Sequence, residues 1–138
     1  MNVLNIGFLR LSGVKSVAYL RREKEIVEMD FPIEKVWEAI SKAITTLDWA
    51  IEEADNSVHR IKTKTRGAFM SYSSQLTIEA ISKTEKTTRV NVSAETPVTT
   101  LTGIVDFGRT RERIDSFLMA LMSQLTSKTS QPQPEKNE

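Results

Sequence analysis

Two stretches of the chain repeat apolar residues at helical spacing. Between Gly103 and Leu125 they recur every three or four positions, which places them on one stripe of an amphipathic helix. That stripe consists of Ile114, Phe117, Leu118, Leu121 and Leu125. Asp106 and Gly108 precede the stripe and favour a helix start, so we expect this helix to begin near Phe107.

The other helical stretch follows Pro32, whose missing N–H costs nothing in the first turn of a helix. Its stripe consists of Ile33, Val36, Trp37, Ile40, Ala43, Ile44 and Leu47. Because an amphipathic helix has to cover another apolar surface, both helices are predicted to pack on a sheet.

Elsewhere apolar and polar residues alternate, which is typical of strands with one buried face. The first strand is predicted from Lys24 to Phe31, with Val27, Met29 and Phe31 on its apolar face. Four more are predicted as consecutive hairpins near 49–52, 58–65, 72–80 and 88–95, and Pro97 is expected to end the last. Consecutive hairpins form an antiparallel meander. The sequence therefore predicts an α+β fold of order β-α-β-β-β-β-α, with two helices on one face of the sheet and the C-terminal helix long.

The pattern divides the chain into an apolar N-terminal extension (1–23), one α+β domain (24–126) and a disordered tail (127–138). The extension is interrupted by polar residues, so it is not typical of a secretory signal or a membrane span, and we expect a cytoplasmic protein. It is either an edge strand or a short helix, and periodicity leaves this open. Its apolar residues are expected to close the core or, as we favour, to cover a second copy of the chain.

Composition excludes several classes of function. Nineteen Lys and Arg against 18 Asp and Glu give a net charge of +1, so bulk charge does not indicate nucleic acid. No Cys is present, which excludes disulfides and thiolate metal sites. His59 is the only histidine and is expected to be structural. With no phosphate-binding glycine motif either, we expect no cofactor and no metal, and an enzyme is disfavoured.

Two clusters of basic residues allow alternative interpretations. Arg60, Lys62, Lys64 and Arg66 share one face of a strand, and either bind phosphates or form a solvated outer face, for instance opposite Glu52; we favour the outer face. The predicted helix start contains Gly108, Arg109, Thr110 and Arg111, which either bind an anion or are solvated beside a local cap.

The opposite face of the basic strand is of mixed polarity. It carries His59, Ile61, Thr63 and Thr65, whereas a face meant only for core packing would carry Val or Ile. Together with Tyr72 and Ser74, these residues are predicted to line a cavity beneath the C-terminal helix.

The segment MDFPIEKVWEAISKAI, followed by a meander and a C-terminal helix, resembles the opening of the START-like, polyketide-cyclase-like helix-grip superfamily, here shortened. TRVNVSAETP and DFGRTRERI are similar to a group of small uncharacterised bacterial domains of that shape. The resemblance implies a pocket between the C-terminal helix and the sheet for a small apolar or amphipathic molecule.

We therefore predict a non-catalytic binding domain, and the alternative is an interaction module that docks on a protein or membrane surface through its N-terminal segment. The predicted ligand-binding residues are Trp37, Ile40, His59, Thr63, Tyr72, Leu118 and Met122.

Overall fold

The computed structural model describes residues 19–67, 72–99 and 108–130, with side chains up to residue 126. Within them the chain forms the predicted order β-α-β-β-β-β-α, which confirms the α+β prediction. The elements are β1 (Tyr19–Met29), α1 (Ile33–Thr46), β2 (Ala50–Asp55), β3 (Arg60–Lys64), β4 (Gln75–Thr84), β5 (Thr87–Val98) and α2 (Arg109–Ser130).

The five strands form one antiparallel sheet of order β1-β5-β4-β3-β2. Strands β2 to β5 are the predicted meander, and β1 pairs with β5 along its whole length, so that β1 and β2 are the two edges. Both helices pack on the same face of the sheet, which we call the inner face.

The core lies between the inner face and the apolar stripes of the helices. Four of the five predicted stripe residues of α2 are fully buried, and Leu118 is half-buried. The stripe of α1 is buried through Val36, Ile40, Ala43 and Ile44. The sheet contributes mainly branched residues of its three central strands: Ile61, Leu76, Ile78, Val90 and Val92.

Strand β1 begins at Tyr19, earlier than the predicted start at Lys24, so residues 19–23 belong to the sheet. The sequence pattern missed this because the inward positions Arg21, Glu23 and Glu25 are charged rather than apolar. The rest of the predicted extension, residues 1–18, lies outside the described residues.

Strand β5 does not end at Pro97 but at Val98. Its pairing with β4 ends at Glu95, and beyond that residue β5 pairs only with β1. Among the described residues, Pro97 therefore lies where β5 has β1 as its only partner strand, a position that tolerates a residue without an N–H.

Helix α2 was expected to begin near Phe107 and starts at Arg109, directly after Gly108 with its left-handed φ of 83°. It continues to Ser130, so it extends into the segment that was predicted to be disordered. Residues 131–138, together with Asp106 and Phe107, lie outside the described residues.

The predicted turn between β2 and β3 is fixed by Asp55. Its carboxylate accepts hydrogen bonds from the hydroxyl of Ser57 (2.6 Å) and from the backbone N–H of Ser57 (2.9 Å). These bonds, the side-chain one first, lower the pKa of Asp55 below its ordinary 3.8. The charged form is the one stabilised, so the turn loses this contribution only as the pH falls below that ordinary value.

The basic residues of β3 lie on the outer face of the sheet, as we favoured. Arg60 forms an ion pair with Glu79 (3.4 Å) and Lys62 with Glu53 (3.8 Å), each across a strand pair. Glu52, the expected partner, lies at a bulge and accepts a hydrogen bond from Gln75 instead. Both cations thus have acidic neighbours on the sheet itself.

No helix within residues 19–67, 72–99 and 108–130 is long and apolar enough to cross a membrane.

Candidate functional site

One row of paired residues that runs across the strands on the inner face is polar. The next rows into the sheet become apolar. The polar row consists of Thr65 directly after β3, Ser74 directly before β4 and Thr96 on β5, with Arg21 of β1 opposite Thr96. Two rows further into the sheet, the equivalent positions of β3, β4 and β5 are Ile61, Ile78 and Val92. The inner face therefore changes from polar to apolar along its strands.

The first turns of α2 lie over this polar row. Thr110 is fully buried and its Oγ1 lies 2.9 Å from Oγ1 of Thr96, which in turn is hydrogen-bonded to Oγ of Ser74. The backbone N–H of Ser74 donates to Oγ1 of Thr65 (2.9 Å). All four hydroxyl residues are at most 5% exposed. We call Thr65, Ser74, Thr96 and Thr110 the hydroxyl cluster.

Arg113 connects the cluster to a charge. Its Nη1 donates to Oγ of Ser74 (2.5 Å) and to the backbone carbonyl of Tyr72 (3.0 Å). A guanidinium can only donate hydrogen bonds, so Ser74 accepts from Arg113. In the Ser74–Thr96 and Thr96–Thr110 hydrogen bonds either hydroxyl can be the donor.

A second contact ties the start of α2 to the edge strand β1. Nη2 of Arg111 donates to Oε1 of Glu25 (2.7 Å), and Nε of Arg111 lies 3.2 Å from Oδ1 of Asp115. The hydrogen bond to Glu25 is the main reason why the pKa of Arg111 is raised above its ordinary value. Together with the hydroxyl cluster, this ion pair fixes the first turns of α2 on the sheet.

The four residues predicted to bind an anion lie in these turns, but two of them have partners inside the protein. Arg111 is held by two carboxylates, and Thr110 belongs to the hydroxyl cluster. Arg109 is half-buried and Gly108 is exposed. Anion binding at this start of α2 stays a prediction, and an anion there would compete with Glu25 and Asp115.

The predicted ligand-binding residues are only partly brought together. Ile40 is in the core, and Trp37 and Leu118 pack against it. Thr63 is buried and donates to the backbone carbonyl of Ala50 (2.6 Å). Tyr72 and Met122 are 49% and 42% exposed. Tyr72 was expected on the inner face with Ser74, but β4 starts only at Gln75 and the alternation does not reach back to Tyr72.

His59 was expected on the inner face of β3, but it lies in the turn before that strand. Its backbone has a left-handed φ of 54°. Its ring meets Trp37 edge to face, with 5.1 Å between ring centroids, and the indole N–H of Trp37 donates to Asn56 (3.0 Å). Trp37 thus joins the β2–β3 turn to α1, away from the hydroxyl cluster. This geometry gives His59 a packing partner.

Two open clefts lie near the described core. One, of about 360 Å³, reaches Thr65 at the end of the hydroxyl cluster. Its lining residues are Asp48, Trp49, Ala50, Lys64, Thr65 and Arg66. The other, of about 350 Å³, lies between α1 and α2 and is lined by Ser41, Lys42, Thr45, Thr46 and Gln124. Only the first touches the polar end of the inner face.

In the part of the chain that the structure describes, no three His, Cys, Asp or Glu side chains converge in a group that could hold a metal ion.

Thr96 was not among the predicted site residues, because the last strand was predicted to end at residue 95. The signal is present, because Thr96 continues the inward period of Val90, Val92 and Ala94. Pro97 hid this continuation, since a proline predicts the end of a strand.

Comparison with solved structures identifies the architecture. Norcoclaurine synthase of Thalictrum flavum, solved with a transition-state analogue, is 12% identical with a TM-score of 0.58, over 85% of this chain and 99% of that one. The Streptomyces aromatase/cyclase Zhui is 13% identical with a TM-score of 0.54, over 87% and 100%. A START superfamily protein of Mycobacterium smegmatis is 10% identical with a TM-score of 0.56, over 78% and 98%. The chain has a START-like helix-grip fold.

These similarities confirm, for the fold, the resemblance that the sequence suggested. No protein-family model matches the START-like chain, and no curated protein matches it by sequence. In this fold the sheet packs around the C-terminal helix, which is α2 here. The hydroxyl cluster lies between α2 and the sheet.

We predict that Thr96→Val lowers stability although it keeps the shape of the side chain. The substitution removes the middle of the hydroxyl chain and leaves Ser74 and Thr110 without that partner, at a cost of about 1 to 3 kcal/mol in the free energy of unfolding. Urea unfolding measures this. The matched control is Thr77→Val on the outer face of β4, which is expected to change stability little; an equally small effect of Thr96→Val would show that the cluster is not a connected network.

Proposed function

We propose that this chain is a non-catalytic binding domain that holds a small amphipathic molecule between α2 and the inner face of the sheet. The observation that carries the proposal is the hydroxyl cluster, which places four buried polar side chains on an inner face that is apolar two rows further into the sheet.

Core packing alone does not explain these residues. A buried hydroxyl adds no packing that the methyl group of Val would not, and it is unfavourable unless its hydrogen bonds are made. A buried network whose hydrogen bonds are made rigidifies the core at a fixed place. Here that place adjoins an apolar surface that includes Ile114 and Phe117 of α2. A polar end beside an apolar body matches an amphipathic molecule.

The similar folds support binding by analogy. One structure of norcoclaurine synthase contains dopamine and hydroxybenzaldehyde, two small aromatic molecules with polar groups. We transfer ligand binding, and not the reaction, from these proteins to this chain, because one fold is shared by proteins with different chemistry. His59, the residue most suited to acid–base work, is engaged with Trp37 instead.

The predicted ligand-binding residues divide accordingly. Ile40, Trp37 and Leu118 would form the apolar side of the site, and Thr63 would lie beside the hydroxyl cluster. Met122 and Tyr72 would contact a ligand only at the rim, since both are exposed.

Native mass spectrometry of freshly purified protein, followed by thermal shifts of the delipidated protein with lipids and metabolites, tests the proposal. We expect one bound small molecule per chain. A ligand at about a hundred times its Kd stabilises a single site by about 2.7 kcal/mol. Ser74→Ala should reduce the shift, whereas Ser93→Ala on the outer face of β5 should not. If no bound molecule and no shift are found, the binding function is wrong.

A second function rests on the edge strand β1. Tyr19 and Leu20 at its start are 42% and 47% exposed, and they continue the apolar segment 1–18, which lies outside the described residues. An unpaired strand edge offers N–H and C=O groups to another chain. The interaction module predicted from the sequence would therefore be a contact between two copies of this chain.

Removal of residues 1–18 should give a folded monomer, because β1 begins only at Tyr19. Sedimentation of the full-length and truncated proteins measures the difference. Full-length protein that stays monomeric at high concentration would contradict self-association through this segment.

A further inference from the structure

We propose that two copies of this chain pair along the outer edge of β1, in an antiparallel register centred on Ile26, and that the side of α2 next to this edge packs against its own copy. This inference rests on the self-association proposed above. It adds the register of the two strands and a contact between the two helices.

The two edges of the sheet differ in how they are protected. Edge strand β2 has six residues, contains a bulge and carries Glu52, Glu53 and Asp55, which would repel a copy of themselves. Edge strand β1 has eleven residues and pairs with β5 in one unbroken register. Among the described residues, β5 is the only partner strand of β1. A short, bulged edge resists pairing with another chain, so β1 is the edge suited to a second copy.

The charges of β1 select one register for two antiparallel copies. With the two-fold axis at any of residues 22–25, two identical charged residues would face each other, which is unfavourable. With the axis nearer the start of β1, at most residues 19–23 would pair. With the axis at Ile26, residues 23–29 of the two copies pair, Ile26 faces its own copy, and Lys24 faces Glu28 of the second copy on both sides of the axis.

The side chains that this register brings together are accessible. Ile26 is 55% exposed on the outer face of the sheet. Lys24 is exposed, and the side chain of Glu28 is 51% exposed although it already pairs with Arg89 (3.1 Å). An axis at Val27 would instead place the apolar Ile26 opposite Glu28. The register centred on Ile26 therefore gives one apolar pair and two opposite-charge pairs.

The side of α2 that faces β1 carries apolar residues beyond its first turns. Arg111 lies on this side, because it contacts Glu25 of β1 (2.7 Å). Leu118 and Met122 follow Arg111 by seven and eleven residues and therefore share its side of the helix. Leu118 is half-buried and Met122 is 42% exposed. These two residues thus form an apolar strip beside the edge of β1.

The spacing of the elements allows the helices of the two copies to touch. Helix α2 packs on β1 and β5, so its axis lies over that pair of strands. Neighbouring strands are about 4.8 Å apart, and the two-fold axis would lie half of this spacing beyond β1. The axes of α2 and its copy would then be about 10 Å apart, within the range of about 8–10 Å at which helices pack. Leu118 and the adaptable side chain of Met122 would fill the space between them.

The register also directs the start of β1 towards the second copy. Because only residues 23–29 pair, residues 19–22 of one copy extend past Met29 of the other. The apolar segment 1–18 precedes Tyr19, so it would begin beside the second copy. This placement gives a reason why removal of the segment is expected to weaken the association.

Single cysteines test the register in the full-length protein, which has no Cys of its own. In Ile26→Cys the two Cβ atoms would face each other at about 4.5–5.5 Å, close to the geometry of a disulfide. Oxidation by copper phenanthroline should convert most of this variant into a covalent dimer that dithiothreitol reverses. The matched control is Ile81→Cys, 39% exposed on the same outer face, which should stay mostly monomeric on a non-reducing gel.

Charge reversal tests the pairs that select the register. Lys24→Glu turns two attractive pairs into two repulsive ones and should raise the Kd of the full-length dimer roughly tenfold in sedimentation equilibrium. The double variant Lys24→Glu/Glu28→Lys should recover most of the affinity. Lys64→Glu, which reverses an exposed charge at the end of β3, is the matched control and should leave the Kd unchanged.

One further variant tests the helix contact. Met122→Glu would place an unpaired charge between the two helices and should raise the Kd at least about tenfold. Ser116→Glu, which adds the same charge at an exposed position on another side of α2, should not. Circular dichroism checks that each variant is folded. If Met122→Glu has no more effect than Ser116→Glu, the contact between the helices is wrong.

The outcomes separate this inference from the proposed self-association. Full-length protein that is monomeric at high concentration ends both. A dimer in which Ile26→Cys cross-links no better than Ile81→Cys, or in which Lys24→Glu weakens association no more than Lys64→Glu, overturns the register while self-association stands.

Discussion

The burial of the apolar stripe of α2 against the inner face of the sheet is the interaction on which the rest of the structure depends. Phe117, Leu121 and Leu125 are fully buried there. A buried phenylalanine is worth about 3 to 5 kcal/mol relative to alanine, whereas one hydrogen bond contributes about 1 kcal/mol. Packing therefore determines where α2 lies, and the polar contacts of its first turns adjust to that position.

The polar contacts follow from the geometry of this packing. With Ile114 and Phe117 in the core, Thr110 and Arg113 lie one turn nearer the start of α2, above the line of Thr96 and Ser74. Arg111 points to the neighbouring strand β1 and meets Glu25. The same helix thus supplies the apolar and the polar parts of the proposed site.

The sequence predicted the elements well because periodicity is a direct consequence of having one buried face. It predicted less well where an inward position is polar. Arg21, Glu23 and Glu25 are inward on β1, and their charges hid the first residues of the strand. Thr96 was hidden by Pro97, because the pairing of each side of β5 is decided by the tertiary fold and not by the local sequence.

The candidate site was predictable in part. Thr65 and Ser74 were placed on an inner face of mixed polarity by period two alone, and both are buried there. Their hydrogen bonds to Thr96 and Thr110, and the contact of Arg113 with Ser74, join residues distant in sequence, so no local pattern contains them. His59 was misplaced because its left-handed backbone takes it out of the strand.

The central claim is that a ligand lies between α2 and the inner face of the sheet. Intermolecular nuclear Overhauser effects to threonine methyl groups, in protein with labelled threonines and a bound ligand, test it most directly. Contacts are expected to the methyl groups of Thr65, Thr96 and Thr110 and not to Thr77 on the outer face. Contacts confined to Thr77 and other outer threonines, with none to the hydroxyl cluster, would contradict it.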